Sequence, residues 1–191
     1  AAAVASELRR RGHAVRVAVP PNLVGFAEAV GLFPVQTYGP DSQKQLDAEI
    51  FRDWYKLRNP FKVLKQAQAY ITEGWAEMNE TLTKLATGAE LLLTGTTYQE
   101  LAANVAEAKG IPIVSLHYFP FRANNQILPI RLPAQLVEPL WSIGEWSHWR
   151  LLKQAYDEQR RTLGLAPSRT RAVRRMFDGG ALEVQAYDRV I

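Results

Sequence analysis

The sequence predicts an α/β protein: a parallel sheet with helices on both faces. Three observations carry this. A helical pattern that ends at a glycine and passes at once into a short β-rich run occurs four times, in ELRRRGHAVRVAV, FAEAVGLFPVQTY, LTKLATGAELLLTG and VAEAKGIPIVSLH. The β-rich runs are mostly continuous apolar residues, as in strands covered on both faces. Helices alternating with buried strands imply right-handed crossovers and therefore strands that all point one way.

AAAVASELRRRG reads as a helix from its first residue, with neither a cap nor a strand before it. A first strand and its loop are therefore expected before Ala1. Gly12, Gly31, Gly88 and Gly110 each stand just past a helix, where a left-handed residue closes the last turn. The strands that follow are predicted over Val15 to Val19, Phe33 to Tyr38, Glu90 to Leu93 and Ile111 to Leu116. Asn59-Pro60 supplies an N-cap and a proline at the first helical position, opening a long helix to about Ala86. Pro139 opens another, with Ile143, Trp146, Trp149, Leu152 and Tyr156 at helical spacing and expected to pack on the core. GALEVQAYDRVI reads as a final strand. The segment DSQKQLDAEIFRDWYKLRN is expected to be a surface helix, with a flap over a ligand as the alternative.

With 191 residues, 47% of them hydrophobic and 22% charged, the chain has the composition of one folded domain. It has no cysteine, which excludes disulfides, thiolate metal sites and a cysteine nucleophile. The absence of an apolar run of 18 residues leaves no candidate transmembrane helix. His13, His117 and His148 are too far apart in sequence to suggest a metal site. The net charge of +4 is modest, and the basic run RRTLGLAPSRTRAVRR lacks the interleaved aromatics of a nucleic-acid surface. That run reads as a solvated linker, with an anionic membrane as its alternative partner. The expected location is the cytoplasm, with a peripheral contact at the inner face of the membrane as the further expectation.

Parallel strands place their carboxyl ends along one edge of the sheet, where open α/β sheets take ligands. Pro20 to Asn22, Tyr38 to Asp41, Thr94 to Gln99 and His117 to Gln126 are expected there. The candidate binding residues are Thr94, Gly95, Thr96, Tyr98, His117, Tyr118, Phe121 and Arg122. Tyr118, Phe119 and Phe121 could stack against a flat or lipidic molecule, although Phe119 should turn the opposite way to Tyr118 and anchor the loop instead. His117 could bond a ligand hydroxyl or be tied to backbone at its strand end. No dinucleotide fingerprint, P-loop or hydrolase elbow is present.

LRRRGHAVRVAVPPNLVGFAEAVGL, followed by LLLTGTTYQELAANVAEAKGIPIVSLHYFPFR, resembles the N-terminal half of GT-B glycosyltransferases. The likeness is to the group holding sterol glucosyltransferases, glycopeptide-antibiotic glycosyltransferases and mycobacterial glycolipid glycosyltransferases. It rests on Ala18, Pro20 and Pro21 after a strand, and on Ala106, Glu107, Gly110, Ile111, Pro112 and His117 in the family's order. The resemblance implies a single Rossmann-like acceptor-binding domain over residues 1–191. The catalytic base, an Asp or His after the first strand, is then expected before Ala1, and a donor domain after Ile191. It implies an inverting transfer of a hexose from a UDP- or dTDP-sugar to a hydrophobic hydroxylated acceptor, with no metal and no cofactor beyond that donor substrate. A catalytically silent α/β binding module of the same fold is the alternative.

Overall fold

The computed structural model describes residues 1–47, 68–69, 71–120, 123 and 133–187. They divide into two compact units, Ala1–Leu85 and Ala86–Ile191. The sequence pattern put four strands in one sheet. Among the described residues the ladders pair β-strands in parallel within each unit, two in the first and three in the second, because apolar runs show which segments can pair but not which neighbour each takes.

The first unit runs α1 (Ala2–Arg10), β1 (Val17–Val19), a 3-10 turn (Pro21–Leu23), α2 (Val24–Ala29), β2 (Val35–Thr37), α3 (Ser42–Asp47) and α4 (Trp75–Leu85). Val17 lies opposite Val35 and Val19 opposite Thr37. Gly12 and Gly31 have φ of +90° and +81°. Behind them His13 N donates to Leu8 O and Leu32 N to Ala27 O, both at 3.0 Å, which satisfies helix-end carbonyls. Asp41 caps α3, its Oδ1 accepting from Gln43 N (2.9 Å) and Lys44 N (3.1 Å). Asn22 Oδ1 accepts from Ser42 N at 3.0 Å, so the segments after β1 and β2 do meet. Asn59, Pro60 and most of DSQKQLDAEIFRDWYKLRN lie outside the described residues. Where the expected long helix is described, it breaks: the chain turns before Trp75, with Gly74 at φ +71°.

The second unit runs β3 (Leu92–Gly95), α5 (Gln99–Lys109), β4 (Ile113–His117), α6 (Ala134–Thr162), α7 (Ala172–Asp178) and β5 (Leu182–Gln185). Strand β4 is central, paired in parallel with β3 and β5. Gly88 and Gly110 have φ of +69° and +65°, as their places after helices require. Strands β3 and β4 begin two residues later than their apolar runs, because the chain first closes the helix end. Ile111 N is still donating to Ala106 O at 3.0 Å. Burial on both faces, expected of every strand, holds for β4 alone among the described strands. The flanking strands leave Leu93, Leu182 and Val184 exposed.

Helix α5 is the core element of this unit. Leu101, Ala102, Val105 and Ala106 are buried, and the helix packs on β3, β4, α6 and α7. A polar network ties it to the two later helices. Asn104, itself fully buried, donates to Gln159 Oε1 (2.8 Å) and accepts from Arg160 and Arg175 at its Oδ1 (both 2.9 Å). Glu107 receives both Arg160 guanidinium nitrogens at 2.8 Å and Arg175 Nη2 at 3.0 Å. Arg175 also donates to the buried Tyr156 hydroxyl and lies over its ring.

That network corrects the reading of the basic run as a solvated linker. Five of its six arginines are engaged in ion pairs within the chain: Arg160 and Arg175 with Glu107, Arg161 with Glu158, Arg171 with Glu145, Arg174 with Asp178. Helix α6 also differs from expectation. It starts five residues before Pro139, which sits inside it. The cost is one hydrogen bond near the helix start, that of the missing 139 N–H. Its supposed core stripe splits, with Ile143 and Trp146 exposed and Leu152 and Tyr156 buried. Steps of three residues fall about 60° short of a full turn, so 143, 146, 149 and 152 wind round to opposite sides.

Candidate functional site

The carboxyl edge of the β3–β4–β5 sheet brings several of the expected residues together. Leaving β3, the chain turns through Thr96 and enters α5 at Tyr98. Tyr98 holds φ 60° and ψ 21°, left-handed and uncommon for a residue with a side chain. Such a conformation costs about 1–3 kcal/mol and persists only where its surroundings fix it. Leaving β4, the chain passes from His117 to Tyr118 and Phe119, which are 44% and 46% exposed. The expected inward turn of Phe119 is therefore not what separates the two. The Tyr118 ring lies over Gly95, its Cε2 3.5 Å from where a Cβ on that glycine would stand. Burial pushes the Tyr118 phenol upward.

Alternation and register sort the polar side chains by face. Thr94, Ser115 and Glu183 lie side by side on the three strands, and His117 follows Ser115 on the same face. Ser115 and His117 are fully buried. Within the described residues the hydroxyls of Ser115 and Thr96 and the amide oxygen of Gln99 are buried without a hydrogen-bond partner. Thr94 Oγ1 donates to Gly95 O at 3.2 Å. Glu183 Oε1 stands 3.8 Å from His117 Nε2, with the Glu183 side chain 31% exposed. His117 O accepts from Ala186 N at 2.7 Å, so the ladder closes to the very end of β4.

Thr94, Gly95, Thr96, Tyr98, His117 and Tyr118 thus all lie on one sheet edge; Phe121 and Arg122 fall outside the described residues. His117 is the residue whose setting differs most from a ligand-facing one, being buried beneath the edge. Sequence reasoning placed Gln99 at this edge without naming it among the binding residues, and missed Ser115 and Glu183. The one signal for Glu183 was the alternation in Leu182-Glu183-Val184-Gln185, polar on one side and apolar on the other. Among the described residues no group of three or more His, Asp or Glu side chains gathers as a metal site needs, and no helix is long and apolar enough to cross a membrane.

No protein-family model matches the chain. Over 188 residues, 98% of its length, it is 53% identical to a Mycobacterium tuberculosis protein named an uncharacterized glycosyltransferase. A Mycobacterium leprae protein of the same description is 44% identical over 190 residues, again 98% of the chain. The chain is a homologue of glycosyltransferase-named proteins. A Mycobacterium bovis protein named only as uncharacterized is 49% identical over 197 residues. The chain spans about half the length of these relatives, 44–45% of each.

Proposed function

We propose that this chain is the acceptor-binding part of an inverting GT-B glycosyltransferase. Residues 1–191 would form one Rossmann-like domain of a two-domain enzyme. The enzyme would transfer a hexose from a UDP- or dTDP-sugar to a hydroxyl of a hydrophobic acceptor such as a sterol, glycolipid or natural-product aglycone. The observation that carries the reading is the 53% identity, over nearly the whole chain, to a glycosyltransferase-named protein. In such a transfer a base takes the acceptor proton as the hydroxyl oxygen attacks the anomeric carbon, and the nucleoside diphosphate departs from the opposite face. The base and the donor site are assigned to the remainder of the full-length protein. The role of the residues in hand is to hold the acceptor. Half-exposed aromatics at a sheet edge support that role, because apolar rings at a wet surface are relieved when an apolar molecule covers them. A cytoplasmic location, with peripheral contact at the inner membrane face, suits an apolar acceptor and belongs to the same reading.

Two results test this. In the full-length protein Tyr118→Ala raises the acceptor KM about fivefold, the equivalent of one aromatic contact worth about 1 kcal/mol, and leaves the donor KM unchanged. Steady-state kinetics with each substrate varied in turn checks it, and unchanged acceptor kinetics would remove Tyr118 from the acceptor wall. The 191-residue chain alone binds nucleotide-sugars weakly or not at all. Calorimetric titration reads this directly, and micromolar affinity for a UDP- or dTDP-sugar would place the donor site within the chain. A full-length protein that binds hydrophobic acceptors yet transfers no sugar from any nucleotide donor would favour the silent binding module.

A further inference from the structure

The β3–β4–β5 sheet has two unlike faces. Alternation and register put Thr94, Ser115, His117, Glu183 and Gln185 on one of them. Helix α5 covers this face: it packs on both β3 and β4, and Ser115 and His117 are fully buried. The opposite face carries no polar or charged strand residue. Leu93, Val114 and Leu182 stand in one lateral row across the three strands, and Gly95, Leu116 and Val184 form the next. Leu116, in the middle, is buried, but Leu93, Leu182 and Val184 are 37%, 60% and 36% exposed. A sheet with one face in water shows the reverse, apolar under its helices and polar outside. A purely parallel sheet is instead covered on both faces. The chain's own connections do not supply the second cover. The strand order runs β3, β4, β5 in one direction, so right-handed crossovers put both connections on the same side. More than half of each relative's length lies outside the span that this chain matches. We infer that a helix from the part of the full-length protein outside residues 1–191 docks on this face, seating an apolar stripe on Leu93, Val114, Leu182 and Val184. Strands lie about 4.8 Å apart, so the row from Leu93 to Leu182 is about 10 Å wide, the width of one helix. The inference shares with the proposed function only the reading that the chain is part of a longer protein, and it does not rest on glycosyl transfer.

The test uses the full-length protein and needs no activity, so a failure of the glycosyltransferase reading leaves it intact. Residues 1–191 contain no cysteine, so Leu182→Cys and Val184→Cys, made separately, each put one new thiol on this face. Circular dichroism checks the fold of each variant, and Leu93→Cys, on the far strand, replaces either one that is unfolded. In the native full-length protein each thiol should react with N-ethylmaleimide about tenfold or more slowly than in urea, because a covered thiol is out of reach. Mass spectrometry reads the rate on the peptide that carries the new thiol. A benzophenone side chain introduced at position 182 then identifies the cover. The expected product is a cross-link within one molecule to a peptide from outside residues 1–191, one with apolar residues at helical spacing. Labelling within about twofold of the urea rate overturns the inference, since the face would then be open to solvent. A cross-link to a peptide within residues 1–191, a cross-link between two molecules, or no cross-link at all overturns it as well. The first of these would give the cover to this chain itself and the second to another copy.

Discussion

Replacing Glu107 with alanine should destabilise the protein by about 2–3 kcal/mol, the upper range for losing hydrogen bonds between charged groups. Glu107 is itself 40% exposed, so its own desolvation is not the source of the loss. The loss comes from what remains. Arg160, with only 5% of its side chain exposed, would keep a full charge with no carboxylate beside it, and Arg175 would lose the same partner. Arginine cannot escape by giving up its proton. The three helices α5, α6 and α7 meet at this carboxylate, and α7 leads directly into β5. The consequence therefore reaches the sheet edge, and urea denaturation should show it as a lower midpoint. The hydrogen bonds from Arg160, opposed by desolvation and helped by the charges of Arg175 and Arg160, hold the Glu107 carboxyl below its usual value of 4.5. A lowered carboxyl contributes stability that is present above that usual value and is lost as pH falls through the folded one. Wild-type stability should thus decline below about pH 4.5, and Glu107→Gln should lack this part of the decline.

Leu101→Ala is expected to cost about 3 kcal/mol, within the usual span for a leucine emptied from a packed core. Leu101 is wholly buried on α5, and its carbonyl accepts from Gln159 Nε2 at 3.0 Å, so the backbone there is pinned and cannot easily collapse into the space. The damage should be thermodynamic rather than catalytic. Thermal unfolding should show the loss, while the acceptor KM of the folded fraction stays near the wild-type value. A variant equally stable to wild type would mean that α5 packs less tightly than its burial indicates.

The glycines carried most of what could be read in advance. Gly12, Gly31, Gly88 and Gly110 mark helix ends in sequence and all four adopt the left-handed conformation, because few other residues tolerate it at so little cost. Parallel pairing followed from continuous apolar runs, but where each ladder starts did not, since that depends on how many residues the helix end consumes. Pro139 misled as a helix start because one missing hydrogen bond near an N-terminus is cheap enough for packing to override. The basic run was legible as charge and illegible as structure: its partners Glu107 and Glu145 lie far away in the chain. Glu183 had the same obstacle. Its approach to His117 depends on the register between two strands separated by two helices, which no local pattern encodes.

The sheet of the second unit joins segments of unequal separation. Leu92 pairs with Ile113 across a single helix, whereas Val114 pairs with Leu182 across two helices and everything between them. The second loop is roughly three times longer, and closing it costs about 1 kcal/mol more in chain entropy. The shorter closure favours pairing of β3 with β4 before β5 joins, and the expected folding order is β3–α5–β4 first and β5 last. During synthesis the first pairing can form while the chain is still growing, but the strand carrying Glu183 cannot dock until its last residues have left the ribosome. Until then β4 presents a bare edge to its surroundings, and that interval is when a nascent chain of this kind is most exposed to pairing with the wrong strand.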